Sequence, residues 1–342
     1  MSLTVRELES SDYARWDAFV AEQETATFFH RIGWKRVIEK AFGHRCPYLY
    51  VEADGEIVGV LPLVHVNSRL FANALISTPF CVYGGALACS ADVSETLYAA
   101  ARERGENLGV DYAEFRERDA RHPDWPRKDL YYTFRKTLAD NDDENLQAIP
   151  RKQRAVVRKA LKNGMTVEFD ADVDRFYPLY ALTLRNLGTP IFAKRFLTLL
   201  KEEFGDDCEI MTIVHDNQPV ASVLSFYFRD EVLPYYAGAG ESARDLKAND
   251  FMYWALMSHA VEKGMRIFDF GRSKKGTGPF QFKRHWGFEP EPLNYEYVLI
   301  GDEQMPDLSP ANPRYQRKIR LWQKLPVAVT RVIGPVLARN LG

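Results

Sequence analysis

Two stretches of this chain, about 160 residues apart, are written to the same plan, a spacing that makes each copy a domain and not a solenoid repeat. Residues 48–66 (YLYVEADGEIVGVLPLVHV) and 210–228 (IMTIVHDNQPVASVLSFYF) each read as strand, tight polar turn, strand, with Asp54-Gly55 and Asp216-Asn217 at the turns. Behind each hairpin comes an apolar strand (75–83 and 232–237). An amphipathic helix running up to a glycine follows (94–104 before Gly105, 251–263 before Gly264), and then a further strand (110–115 and 267–270). Helix, hairpin, strand, helix, strand in each half predicts an α/β (α+β) chain of two tandem domains. Each would be a mixed, mostly antiparallel sheet flanked by helices. The acidic run Asp140–Glu144 gives way to Pro150 and a basic helix, so the expected division is 1–140, 141–305 and a basic tail, 306–342.

Composition excludes several classes. A chain of 342 residues that is 46% hydrophobic and 27% charged buries a sizeable core, and a net charge of -2 gives no global pull toward nucleic acid or membrane. The four cysteines (Cys46, Cys81, Cys89, Cys208) show no C-x-x-C spacing and sit in or beside apolar segments, which predicts buried reduced thiols. The N-terminus is charged and has no apolar core of a signal peptide, and no run of about 18 apolar residues exists to span a membrane. A cytoplasmic protein is expected. Seven histidines with no i, i+4 pair predict neither a metal site nor a Ser-His-Asp arrangement.

Chemistry concentrates in residues 268–290, FDFGRSKKGTGPFQFKRHWGFEP. A strand enters a loop holding Gly271, Gly276 and Gly278, where the backbone can approach a ligand. Arg272, Lys274, Lys275 and Lys283 stand beside them with no carboxylate between Asp269 and Glu289. This is the expected wall of an anionic-substrate site, with Asp269, Arg272, Ser273 and Phe280 among its residues. The competing reading makes Phe280, Phe282 and Trp286 core and Lys283 a solvated neighbour. A second constellation is the helix RKQRAVVRKALKNG, 151–164, with six cations and no acid. Arg151, Arg154, Arg158 and Lys162 share one face, and Val156, Val157, Ala160 and Leu161 are left to pack inward. The ridge suits phosphates of tRNA or of a nucleotide- or lipid-linked diphosphate, against the alternative of a plain solvated face. In the tail, 313–342, seven Lys/Arg and no acid alternate with apolar residues. That suits a segment lying on anionic lipid with Leu321 and Trp322 inserted, against a helix packed on the first domain.

The stretch Asp269-x-Gly271 followed by Phe282-Lys283-Arg284-His285-Trp286-Gly287 resembles the FemAB family of peptidyl transferases, in which D-x-x-G leads to F-K-x-x-(F/W)-G. The surrounding wording resembles FemAB-like proteins associated with bacterial PEP-CTERM/exosortase systems. FemAB proteins are two domains of the acyltransferase fold called GNAT in tandem, so the resemblance implies two tandem GNAT-like domains over about residues 1–300. It implies that Lys283 stabilises the developing oxyanion as catalytic residue, with Phe282 shaping the donor pocket. For substrate binding it implies Arg195 (in Phe192-Ala193-Lys194-Arg195), Tyr235 and Tyr236 (in Tyr235-Tyr236-Ala237-Gly238), and Lys35, Arg36 or Lys40 after Trp34. Among the departures from the family, His30 stands for a Gln and Leu199 for a Tyr. The glycine-rich loop that cradles CoA pyrophosphate in GNAT enzymes would fall at Arg244–Asn249, where both glycines are missing. The resemblance therefore implies no bound cofactor and an acyl donor such as aminoacyl-tRNA in preference to acyl-CoA. The acceptor it implies is an amine of a cell-wall, cell-envelope or exopolysaccharide precursor. The alternatives are an acyl-CoA-dependent N-acetyltransferase and a non-catalytic scaffold docked at the inner face of the membrane. No general base stands out among Asp111, Asp250 and Asp269.

Overall fold

The computed structural model describes residues 2–68, 71, 73–301, 305 and 313–341, with backbone alone at 313–315. Two compact units divide the chain: Met1–Asp129, Leu293–Ser309 and Leu337–Gly342 form the first, and Leu130–Pro292 with Pro310–Val336 the second. This differs from the expected 1–140, 141–305 and 306–342, and strand pairing gives the reason. Arg135–Thr137 pairs antiparallel with Ile267–Asp269, which carries the residues before 140 into the second sheet. Asn294–Leu299 returns to pair antiparallel with Tyr112–Glu117 in the first. Of the expected tail, residues 302–304, 306–312 and 342 lie outside the described residues.

In the first unit the hairpin Leu49–Ala53/Glu56–Leu61 turns at Asp54 and Gly55, both at positive φ (51° and 87°), as a two-residue hairpin turn requires. Thr4–Glu7 and Leu87–Ala88 flank it. A second four-stranded sheet runs in the order Asn294–Leu299, Tyr112–Glu117, Asn73–Ser77, Leu63–Asn67, and only its central pair is parallel. The strand expected at 75–83 stops at Ser77. Thr78 and Phe80 take φ of 43° and 69°, and the buried Arg116, paired with Glu114 at 2.8 Å, donates to the Thr78 and Cys81 carbonyls. A cation fixed by its carboxylate holds that segment as a loop. The helix expected to end before Gly105 runs from Ala91 to Leu108, capped by Ser90 and closed by Gly109 at φ 62°. Gly105 serves packing instead: a Cβ there would lie 2.5 Å from Ile300 Cδ1.

The second unit carries a six-stranded sheet in the order Thr166–Asp170, Cys208–His215, Gln218–Phe228, Glu231–Ala239, Ile267–Asp269, Arg135–Thr137. Asp216 and Asn217 make its hairpin turn with φ of 49° and 59°. Again one pair is parallel, Glu231–Ala239 with Ile267–Asp269, joined by the helix Ala248–Glu262. Both halves are thus mixed, mostly antiparallel sheets with helices on them, as the repeat predicts. The basic helix spans Arg151–Ala160 and buries Val157 and Ala160. Leu161, beyond its end, is exposed and not packed inward as expected. Cys46, Cys81 and Cys208 are buried free thiols, whereas Cys89 is exposed.

The tail forms two helices, Pro313–Trp322 and Val327–Ala338. The first docks on the end of helix Phe176–Leu187: Arg185 donates to the Gln323 carbonyl at 3.0 Å, and Gln323 Nε2 to that of Asn186 at 3.0 Å. Trp322 is consequently buried, against the expectation that it inserts into lipid, while Leu321 is exposed. Among the described residues no helix is long and apolar enough to cross a membrane.

Candidate active site

The second sheet opens where its parallel strands meet. Glu231–Ala239 and Ile267–Asp269 pair only at Glu231–Ile267 and Val232–Phe268, then part company. On the other edge of Glu231–Ala239 the register slips between Leu224 and Ser225, leaving Tyr235 as the extra residue of a β-bulge. The bulge puts Tyr235 and Tyr236, neighbours in sequence, edge to face at 4.8 Å. Tyr235 also packs on Phe226, and Tyr236 on Tyr180, Phe192 and Phe196. Both tyrosines are half-buried along the strand that has opened.

The loop leaving Ile267–Asp269 is tied from inside. The fully buried Asp269 carboxylate accepts from Gly271 N at 2.7 Å and from Thr133 Oγ1 at 3.3 Å, with Arg135 Nε 3.4 Å away. Gly271, at φ 65°, makes a turn that side-chain-bearing residues rarely adopt. The result aims two carbonyls at one point. Lys283, on the short helix Gly278–His285, donates to Gly271 O at 2.9 Å and Arg272 O at 3.2 Å. The rings of Phe134 and Phe270 lie 5.4 and 5.9 Å from its Nζ. Lys283 is buried, and that burial pulls its pKa down to about 7, against a raising influence from Asp269. An ammonium has three N–H donors, so two carbonyls leave one donor over. The Ser273 hydroxyl, on the same loop, is buried with no hydrogen-bond partner among the described residues.

Around this point the aromatics sort themselves. Phe280 is core, edge-on to Tyr132 and Phe134. Phe282 is half-buried in a ring cluster with Tyr253, Phe270 and Trp286. Arg272 lies over the Tyr131 ring at 4.4 Å. Asp269, Arg272, Ser273, Phe280, Phe282 and Lys283 therefore gather on one loop and helix. Arg195 is exposed in the first turn of helix Lys194–Phe204. Lys35 and Arg36 belong to the first unit. Lys35 is buried, donating to Glu39 Oε1 at 2.7 Å and Cys46 O at 2.6 Å, and Arg36 stacks over Tyr13. The sequence reading missed Thr133, Phe134 and Arg135, which shape the loop from the strands Tyr131–Thr133 and Arg135–Thr137. Their signal in the sequence is the run YYTFRK, 131–136, which falls inside the expected first domain, 1–140.

At the head of helix Ala248–Glu262 the chain forms a short helix, Ala243–Leu246, and Lys247 takes φ 58°. Asp250 accepts from Gln153, and burial raises its pKa. Asn163 donates to Leu246 O at 2.7 Å. The basic helix thus packs against this corner with Gln153 inward and its cations outward. Arg151, Arg154, Arg158, Lys159 and Lys162 line an open cavity of about 560 Å³, and Arg154 also donates to Gln147. Among the described residues no group of three His, Cys, Asp or Glu could hold a metal ion.

Residues 151–284 match the acetyltransferase (GNAT) domain family. Comparison with curated proteins finds no match. Among solved structures, FemX covers 98% of its own length on 87% of this chain, with 16% identity and a TM-score of 0.64. A tandem GNAT protein from the clavulanic acid biosynthesis pathway matches at TM-score 0.55 and 13% identity, over 89% of this chain and 100% of its own. The C-terminal domain of a putative lysylphosphatidylglycerol synthetase from Agrobacterium fabrum matches at TM-score 0.54 and 13% identity, over 84% and 91%. The fold is two GNAT-like units in tandem.

Proposed function

We propose, for a chain that carries a GNAT domain over residues 151–284, an acyltransferase that moves an aminoacyl or other acyl group from an activated ester to an amine of a cell-envelope or exopolysaccharide precursor. One observation supports this reading: the buried Lys283, its pKa lowered to about 7, gives two N–H donors to Gly271 O and Arg272 O on the loop leaving Ile267–Asp269 and has a third left over. A buried, strongly shifted ionisable group costs stability, and such groups cluster at functional sites. In the transfer, the acceptor nitrogen adds to the ester carbonyl and the carbonyl oxygen becomes an oxyanion. The remaining Lys283 donor meets that charge, the ester C–O bond breaks, and the leaving hydroxyl takes the proton lost by the amine. An ester is already activated, so a strong general base is not required.

Aminoacyl-tRNA is favoured as donor over acyl-CoA by the head of helix Ala248–Glu262. The place where a CoA pyrophosphate would need a glycine loop is filled by a helical turn and the Asp250 carboxylate. The cations of Arg151–Ala160 stand on the helix packed there and suit a phosphate backbone. In a thermal-shift screen, alanyl-tRNA stabilises the protein and acetyl-CoA does not; stabilisation by acetyl-CoA alone would replace this reading with CoA-dependent acetylation. Changing Arg158 and Lys162 to Ala lowers the salt dependence of tRNA binding by about one unit of log–log slope per lost phosphate contact. An unchanged slope removes the ridge from the donor site.

Peripheral membrane contact fits the same setting, in which the precursor is lipid-linked. Val329, Val332, Ile333 and Val336 form an exposed stripe at helical spacing on Val327–Ala338, with Val332 73% and Val336 64% exposed. The basic helix before it adds Arg317, Lys318 and Arg320. Vesicles containing phosphatidylserine sediment the protein, and V332D/V336D, at exposed positions, abolishes sedimentation without lowering Tm. Equal sedimentation of both proteins contradicts the contact.

A further inference from the structure

The first unit holds a polar cavity that the transferase reading does not use. About 200 Å³ in volume, it lies between Thr25–His30, the Tyr83–Leu87 loop and the end of strand Tyr112–Glu117 with the residues after it. A carboxyl forms part of its wall. Glu117 is buried; its Oε1 accepts from the Tyr98 hydroxyl and from Ala86 N at 3.3 Å. Its Oε2 makes no hydrogen bond among the described residues and has Arg121 Nε 3.9 Å away. A Cβ at Gly85 would fall 1.9 Å from the carboxylate, so any other residue there would push Glu117 out of its place in the wall. That guanidinium, part of a side chain 45% exposed, also lines a second cavity of about 210 Å³. The two cavities share Thr25, Ala86 and Arg121, and the second is walled by the small side chains of Ala88, Ser90, Ala91 and Ser94.

An underused carboxylate oxygen beside a solvent-reachable guanidinium is a pair of opposite charges a few ångströms apart. Ligand charges held one carbon apart, as the amine and carboxylate of an α-amino acid are, fit that spacing. A peptide separates its terminal charges by at least one further residue of about 3.5 Å. The volume, about that of six or seven waters, suits a small amino acid, and the neighbouring cavity suits its side chain.

We propose that the first unit binds a free α-amino acid, its ammonium on Glu117, its carboxylate on Arg121 and its side chain toward Ala88 and Ser94. The site is independent of the Lys283 centre, so failure of one leaves the other standing. Burial raises the Glu117 pKa to about 7. The amine needs the ionised carboxylate, so affinity falls about tenfold per pH unit below 7. The charged and titratable groups around Glu117 are Tyr98 and Arg121, which touch it, and Glu296, which adds to its upward shift. Glu24, Arg116, Arg118 and Asp119 line the cavity with it. His30 is held neutral by burial at a pKa of about 4, so its ring does not titrate in this range.

Isothermal titration of the full chain with L-alanine and L-lysine, against ethylamine, propionate and alanyl-alanine, tests this. The expected result at pH 8 is saturable binding of at least one amino acid, about tenfold or more tighter than any control, each lost charge contact being worth about 1.4 kcal/mol or more. Glu117→Gln, which keeps the shape and a partner for Tyr98, removes the pH dependence and most of the affinity. Arg121→Ala, at an exposed rim where folding is not at stake, weakens the amino acid and does not weaken ethylamine, which has no carboxylate for the guanidinium. No saturable binding by wild type, equal affinity for alanyl-alanine, or unaltered binding by Arg121→Ala overturns the proposal.

Discussion

Lys283→Met is expected to fold and to lose transfer by about 100-fold or more, since one oxyanion donor is worth about 2.7–4 kcal/mol of barrier. Folding survives because two costs oppose each other. Holding Lys283 at a pKa of about 7 in place of 10.5 corresponds to about 5 kcal/mol below neutral pH, a cost that methionine removes. Against this, the Gly271 and Arg272 carbonyls lose their donor, at about 1–3 kcal/mol each. The sign of the pH effect separates the two. Between pH 7 and 10.5 the unfolded chain binds the lysine proton and the folded chain does not, so wild-type stability gains from rising pH in that window. The methionine variant lacks that gain. Urea titrations across those pH values measure it, and a gain retained by the variant assigns it to another group.

Gly238→Ala is expected to be the most damaging single methyl in the second unit. Strand Glu231–Ala239 lies directly on helix Phe176–Leu187, and an added Cβ would sit 2.2 Å from Tyr180 N, 2.4 Å from Leu179 C and 2.6 Å from Tyr180 Cα. These are backbone atoms of a helix, which cannot swing aside as a side chain can. The strand must move off the helix, at a cost of about 3 kcal/mol or more. The bulge at Tyr235, three residues away on the same strand, shifts with it, so binding of donor or acceptor weakens too. Equilibrium unfolding reads the first effect. A variant within about 0.5 kcal/mol of wild type, the range of a neutral surface change, shows that the strand and helix are not locked together.

The repeat made the fold legible because both halves obey local rules. Their turns are carried by residues that tolerate positive φ, and their strands and helices keep a period that reveals the buried face. What escaped was non-local. Strand Arg135–Thr137 is three residues long, and its place in the second sheet depends on a partner about 130 residues away. Gly105 read as a helix stop because its packing against Ile300 is invisible in sequence. Lys283 was found from its neighbours in sequence, but its environment was not: that two carbonyls of its own loop take two of its donors follows from the Asp269 tie and the left-handed turn at Gly271. Glu117 gave no signal, since one carboxylate in an apolar strand looks like a charge on the solvent face. Only the chain folded around it makes it a buried acid.

The most direct measurement is the pH dependence of transfer itself. It uses tRNA charged with labelled alanine and a pool of UDP-linked and lipid-linked amine precursors, for wild type and Lys283→Arg. If the cation at 283 meets the oxyanion, the ratio of wild-type to arginine-variant turnover falls with a midpoint near pH 7 as that lysine loses its proton, the titration of the acceptor amine being common to both. Any turnover left in the arginine variant shows no such fall, because a guanidinium keeps its charge. A ratio that is level from pH 6 to 9, or one that rises through pH 7, contradicts the assignment.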